Sequence, residues 1–190
     1  MLVPSSRHPS LLRSEDALLL VIDTQKPLLD VIWEPERLLV GVGLLMDAAR
    51  ILRVPVVPTV QNSRRLGPPV EAVTKRLPSL AVPFDKMQFS CLGSDAIGSE
   101  VHRSGRRQIL LCGMETHVCV SQTAHDLLAH GYEVHVAADA VSSRTERNWE
   151  IGLRRMERAG AVITSAETAI YEMLYEAGTP EFREVLELVK

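Results

Sequence analysis

The feature of this sequence that most restricts its fold is an alternation of strand-length apolar runs with segments of helical period. Ala17–Asp23 (ALLLVID), Val54–Val60 (VPVVPTV), Arg107–Gly113 (RQILLCG), Glu133–Asp139 (EVHVAAD) and Ala161–Ser165 (AVITS) each have the length of a strand. The first and third are nearly continuous apolar runs, the pattern of strands covered on both faces. Val82–Lys86 (VPFDK) reads as a weaker edge strand, because Pro83 has no N–H to give to a ladder. Between these runs, Leu38, Val42, Leu45, Ala49 and Leu52 form one helical stripe, with Pro35 suited to a first turn. Ser143-Arg144-Thr145-Glu146 has the form of a capping box ahead of Trp149, Leu153 and Met156, and Thr179-Pro180 opens a last helix. Gly131 follows the segment through Ala124 and Leu128 as a helix stop. Strand–helix alternation of this kind predicts an α/β layer domain, a parallel sheet with helices on both faces. One domain over residues 1–190 is expected, with residues 1–14 as a flexible N-terminal arm.

Composition narrows the function. The formal charge of −3 and the lack of a basic run argue against nucleic acid as a partner. The apolar run at Ala17–Ile22 is far short of the ~20 residues that span a bilayer, so no membrane partner is expected. The first fourteen residues are polar and proline-broken, with no segment of signal-peptide character. Three cysteines in 190 residues do not make a disulfide scaffold and read as free thiols in a reducing cytoplasm. The expectation is a cytoplasmic protein acting on a small molecule.

In open parallel sheets, ligands gather at the carboxyl ends of the strands. Those ends carry Asp23-Thr24-Gln25, Gln61-Asn62, Asp85-Lys86 and the turn Gly113-Met114-Glu115-Thr116-His117-Val118-Cys119. A carboxylate, an amine and a thiol therefore emerge at one edge. Cys119 sits where a turn feeds a helix, and a helix N-terminus and a lysine both lower a thiol pKa from ~8.5 toward neutrality. With an Asp to accept the proton, this is the constellation of an activated nucleophile. Each residue also has a plainer reading: Asp23 as a helix cap, Lys86 as a solvated charge, a cysteine as a small buried apolar residue. The plainer reading is assigned to Cys112 and Cys91.

The same residues resemble a known family. Asp23 in LLLVIDTQ, Lys86 in FDKMQFSCL and Cys119 in LLCGMETHVCVSQTA look like the three signatures of the isochorismatase-like cysteine hydrolases. The likeness runs from about Ala17 to the C-terminus. VQNSRRLGP, VAADAVSSRT and TSAETAIYEML look most like the subgroup of YcaC-like hydrolases and isochorismatase domain-containing proteins. The resemblance implies a three-layer, Rossmann-like fold with a six-stranded parallel sheet, an Asp23/Lys86/Cys119 triad, a homo-oligomer, and a non-proline cis peptide between Met114 and Glu115. The backbone N–H groups of Glu115 and Cys119 would then form an oxyanion hole, and Gln61 and Thr116 would contact substrate.

Nicotinamidases of that family carry an Asp/His metal cluster after the second strand. Here Pro58–Arg65 contains no histidine and no carboxylate, so neither a catalytic metal nor any other cofactor is expected. His117 is read as structural or solvent-facing, and Asp139 as a turn or capping residue. Arg64 and Arg65 are loop charges that could also meet an anionic substrate. The chemistry expected is cleavage of an amide-type C–N bond through a thioester. The alternatives are vinyl-ether hydrolysis of the isochorismatase type and a catalytically idle binding protein of the same fold. No G-x-G-x-x-G follows the first strand, which argues against a dinucleotide site.

Overall fold

In the computed structural model, which describes residues 7–77 and 81–190, six strands form one parallel sheet in the order β3-β2-β1-β4-β5-β6. The strands are β1 (Ala17–Ile22), β2 (Val56–Gln61), β3 (Phe84–Lys86), β4 (Gln108–Met114), β5 (Glu133–Ser142) and β6 (Val162–Thr164). The helices, in chain order, are α1 (Lys26–Leu29), α2 (Pro35–Ile51), α3 (Ser63–Leu66), α4 (Glu71–Thr74), α5 (Asp95–Arg103), α6 (Ser121–Ala129), α7 (Glu146–Ala159), α8 (Ala166–Leu174) and α9 (Pro180–Leu188).

Every residue of β1 and β4 is buried, as their unbroken apolar sequences require of central strands. Alternate side chains feed two cores. Ala17, Leu19 and Val21 join Leu38, Val42 and Leu45 of α2, Ile170 of α8 and Val185 of α9. Leu18, Leu20 and Ile22 join Ile97 and Val101 of α5, Leu127 of α6 and Met156 of α7. The result is the three-layer α/β architecture anticipated from the alternation. Among the described residues, no helix is long and apolar enough to cross a membrane.

Three local readings are corrected. Residues 1–6 lie outside the described residues, but from Arg7 onward the expected flexible arm is packed on the body. Leu12 is wholly buried. The side chain of Gln108 accepts a hydrogen bond from Arg13 N–H at 2.8 Å and donates to the carbonyls of Pro9 and Leu11 at 3.2 and 3.1 Å. Second, β5 continues past Asp139 to Ser142, so Asp139 does not end the strand, although its Oδ1 does accept from the first N–H of α8, that of Ala166, at 2.8 Å in the capping role expected of it. Third, the cap of α7 is Thr145, whose hydroxyl accepts from Asn148 N–H, and Ser143 Oγ instead meets the His117 ring.

Gly113 is required where β4 approaches the end of β1. Its φ is +111°, and a Cβ there would lie 2.0 Å from the carbonyl oxygen of Ile22. Only a residue without a side chain allows this approach.

His135, on β5, is 1% exposed, and burial pushes its imidazole down to about 4, with Glu133 partly offsetting the effect. The unfolded chain, with the ordinary value of 6.5, binds the proton more readily than the folded one. The stability conferred by neutral His135 is therefore complete above about pH 6.5 and is lost as the pH falls toward 4. The loss over that window is about 3 kcal/mol. Urea unfolding at stepped pH should show this acid limb flattened in His135→Leu; an unchanged limb would contradict the assignment.

Candidate active site

The carboxyl ends of β1, β2 and β3 bring three polar side chains into one buried web. Asp23 follows β1 with a φ of +52°, and its N–H donates to Thr59 O at 3.2 Å across to β2. Thr59 Oγ1 donates to Asp23 Oδ1 at 2.9 Å, and Lys86 Nζ donates to Asp23 Oδ2 at 2.6 Å. The side chains of Asp23 and Lys86 are both 0% exposed. The ammonium also reaches Gln61 Oε1 at 2.7 Å and Gln88 O at 3.3 Å, so its three protons are all directed at oxygens. Burial alone would lower the Lys86 pKa, but the Asp23 carboxylate and the neighbouring thiols raise it beyond the ordinary lysine value. Lys86 is a fixed cation.

Gln61 is held at both ends. Its backbone N–H donates to Gln25 Oε1 at 2.8 Å, and its side-chain amide donates to Met87 O at 2.9 Å. It helps to position the ammonium, and its half-buried amide keeps one donor and one acceptor position unused. Gln25 is fully buried and also donates to Gln61 O and Gly67 O, tying the β1 and β2 loops together. Gln25 and Thr59 were not singled out from the sequence. Their polar character inside or beside otherwise buried segments was the signal available.

The fourth group comes from the other side of β1. β4 ends at Met114, the Met114–Glu115 peptide is cis, and residues 116–120 form a wide π-type turn that runs directly into α6. Glu115 O accepts from the N–H groups of Val118 and Val120, and its carboxylate meets Arg144 Nε at 2.7 Å. Cys119 is 6% exposed and lies against Asp23. Thr116 is wholly buried, with its methyl packed at the face of Gly152 on α7 and its Oγ1 without a hydrogen-bond partner among the described residues. Thr116 therefore backs the turn by packing. His117 is structural: its Nδ1 lies 2.9 Å from Ser143 Oγ, and burial lowers its pKa.

One electrostatic expectation is reversed. Burial and the adjacent Asp23 carboxylate push the Cys119 thiol well above its ordinary pKa, and the counter-effect of Lys86 does not overcome them. A resting thiolate is not what this site favours. It favours a neutral thiol beside a carboxylate that is itself held by a cation. Cys91 lies in the same neighbourhood, fully buried, with Sγ 4.0 Å from Thr59 Oγ1 and its thiol pushed up to about 11. Cys112 is enclosed in β4, where burial raises it too.

Asp85, next to Lys86, turns outward. It accepts from Ser63 N–H at 3.0 Å and from the Ser63 hydroxyl, contacts that lower its pKa and fix the start of α3. Arg64 and Arg65 on α3 are exposed. Among the described residues there is no group of three or more His, Cys, Asp and Glu side chains placed to hold a metal ion.

Comparison with known proteins gives this arrangement its context. The model of the isochorismatase domain matches residues 17–168, most of the chain. The chain belongs to the isochorismatase domain family. Within the family it is 42% identical over 181 residues to the secreted isochorismatase effector Isc1 of Phytophthora sojae, covering 92% of this chain and 84% of that one. Among solved structures, the MAR1 ribonuclease of Caenorhabditis elegans superposes with a TM-score of 0.88 at 33% identity, covering 94% of this chain and 92% of that one. The YcaC gene product of Escherichia coli shares the fold at a TM-score of 0.86 and 23% identity, with 97% and 89% covered.

The raised thiol makes a direct prediction. Alkylation of Cys119 by iodoacetamide should climb about tenfold per pH unit from neutral into alkaline solution, because only the thiolate reacts. Cys91 and Cys112 should stay unmodified while the protein is folded. A plateau beginning near neutral pH, read by mass spectrometry, would mean that the thiolate is the resting form.

Proposed function

We propose that this isochorismatase-family protein is a cysteine hydrolase that cleaves an amide-type C–N bond of a small carbonyl compound, with Asp23, Lys86 and Cys119 as its catalytic triad. The observation that carries this reading is the wholly buried Lys86–Asp23 pair at 2.6 Å beside the one cysteine that keeps any exposure. Cys119 Sγ attacks the carbonyl carbon as its proton passes to Asp23. The negative charge moves to the carbonyl oxygen, where the N–H groups of Glu115 and Cys119 receive it. Collapse breaks the C–N bond, and Asp23 returns the proton to the departing nitrogen. Water then attacks the thioester with Asp23 as base, releasing the acid and restoring the thiol. Lys86 stays protonated throughout and compensates the sulfur's charge as it develops. This route asks for no metal, and the groups after β2 that would have to ligate one are amide, hydroxyl and guanidinium.

A second reading, vinyl-ether hydrolysis of isochorismate, is favoured by the 42% identity to Isc1, a protein named as an isochorismatase. It makes no use of a thiol nucleophile, so one variant separates the two. In a panel of small amides, ureides, isochorismate and RNA, the last prompted by the name of the C. elegans relative, the wild-type protein should release ammonia or amine from an amide. Cys119→Ala should lower that rate by about 10³-fold or more with the circular dichroism unchanged. Isochorismate turnover that survives in Cys119→Ala would replace the first reading with the second, and RNA cleavage that survives would overturn both.

We further propose that the protein works as a homo-oligomer in the reducing cytoplasm. A nucleophilic thiol with Cys91 close by has to stay reduced, although Isc1 is named as a secreted protein. Self-association is supported by Val82, Met87 and Phe89, which are 77%, 67% and 53% exposed beside the edge strand β3. Light scattering should give a multiple of the chain mass, reduced in Phe89→Asp. A monomeric wild-type protein at micromolar concentration would refute this.

A further inference from the structure

For an ammonium to balance charge on a sulfur, the two groups must keep a fixed separation, yet Lys86 and Cys119 come from elements held very differently. Cys119 follows the central strand β4, in which every residue is buried. Lys86 ends β3, a strand of three residues at the edge of the sheet, and the next residues, Met87, Gln88 and Phe89, are exposed. The ladder to β2 joins β3 to the sheet along one side. The segment is fastened a second time where it returns to the interior. Ser90 is buried, and its hydroxyl donates to Asp126 Oδ2. The N–H of Cys91, also buried, donates to Thr123 Oγ1 at 2.9 Å. Both acceptors lie on α6, and Thr123 stands about one helical turn beyond Cys119. The Cys91 side chain reaches back toward the ion pair, with Sγ 4.0 Å from Thr59 Oγ1, the hydroxyl that donates to Asp23.

We infer, on the basis of the triad proposed above, that Thr123 and Asp126 are positioning residues that hold the Lys86 segment against the helix of the nucleophile and so set the spacing between ammonium and sulfur. Thr123 is wholly buried, so its hydroxyl oxygen supplies the partner that Cys91 N–H needs in place of water. An apolar side chain of the same shape would leave that N–H unpaired and release the chain at Cys91 from α6. Asp126 is half-buried and holds the preceding residue, so the two contacts fix consecutive positions and define a direction as well as a distance. Gln88, whose carbonyl accepts from Lys86 Nζ, lies between the ammonium and this anchor. A segment that drifts therefore carries away one of the ammonium's acceptors. Coulombic attraction weakens with distance and with the entry of water, so drift leaves a thiolate at Cys119 less compensated and the thiol harder to ionise. Thr123 and Asp126 thus act through Lys86 rather than on the reacting atoms.

The rate of Cys119 alkylation by iodoacetamide reads this spacing without a substrate. Thr123→Val should slow the reaction about threefold between about pH 7 and 9, a displacement of the rate profile by about half a pH unit toward alkaline solution. Thr123→Ser, which keeps the hydroxyl, should restore the wild-type profile. Asp126→Ala, at a half-buried position where folding is less at risk, should displace the profile in the same direction as Thr123→Val. With an amide substrate, Thr123→Val should lower kcat at unchanged KM. A structural role alone would lower the unfolding temperature and leave the profile in place. A profile unmoved in both Thr123→Val and Asp126→Ala, or one displaced equally in Thr123→Ser, would overturn the inference and leave the triad standing. Wild-type Cys119 that resists alkylation across the whole range would overturn the triad, and the positioning role with it.

Discussion

The structure depends on a buried ion pair. Removing Asp23 and Lys86 from water costs several kcal/mol per ion, and the attraction between them offsets this only when the remaining hydrogen-bonding capacity is met. Here it is met by groups from β2 and from the segment just beyond β3. Thr59 on β2 donates to the carboxylate, while Gln61 at the end of β2 and the carbonyl of Gln88 beyond β3 complete the ammonium's partners. That geometry demands a particular register, Val21 opposite Pro58 and Gln61 opposite Lys86. The apolar runs of β1 and β2 supply it, since a slip of one residue would turn every core side chain to the wrong face. The hydrophobic pattern and the charged site therefore enforce the same alignment.

The ion pair also decides how the thiol is used. A carboxylate already bound to a cation, with a neutral thiol next to it, conserves charge when the proton crosses from sulfur to oxygen. The thiolate then faces an ammonium, and the protonated carboxyl faces Thr59. A permanently ionised cysteine in this buried place would add a second anion beside Asp23 for a single lysine to balance. Burial and Asp23 prevent that, which is why Cys119 is raised rather than lowered. In the proposed reaction, the nucleophile forms during attack, when the substrate's own electron demand is present to draw the proton off.

Much of this was legible in the sequence. The strand–helix alternation specified the layered sheet, because parallel strands buried on both faces need unbroken apolar runs and leave little else for such runs to be. The rule that ligands gather at carboxyl ends then selected Asp23, Lys86 and Cys119, which the structure brings to one edge. What the sequence did not carry was the degree of burial. The thiol was expected to be acidified by a helix terminus and a lysine, and the opposite sign follows from desolvation, which no local pattern encodes. The roles of Gln25 and Gln61 as ties, and of Ser143 as a support for His117 in place of a cap, depend on loops distant in sequence meeting over the sheet. Residues 7–14 were misread for the same reason. Their anchor, Gln108, lies about a hundred positions away.

Gln108 also explains why the two ends of the sheet differ in character. It is the first residue of the central strand β4 and is wholly buried, so its amide must find partners on an end of the sheet where strands begin. It takes the N–H of Arg13, the carbonyls of Pro9 and Leu11 and the carboxylate of Glu133. One side chain thereby fixes the N-terminal segment to β4 and β5 together. At the carboxyl end the strands deliver the Asp23–Lys86 ion pair into a hydrogen-bonded web beside Cys119. At the amino end the polar demand is absorbed by Gln108, and His135 alone is left without a partner in apolar surroundings. The buried ion pair is thus confined to the carboxyl edge of the sheet, while a neutral amide organises the amino edge.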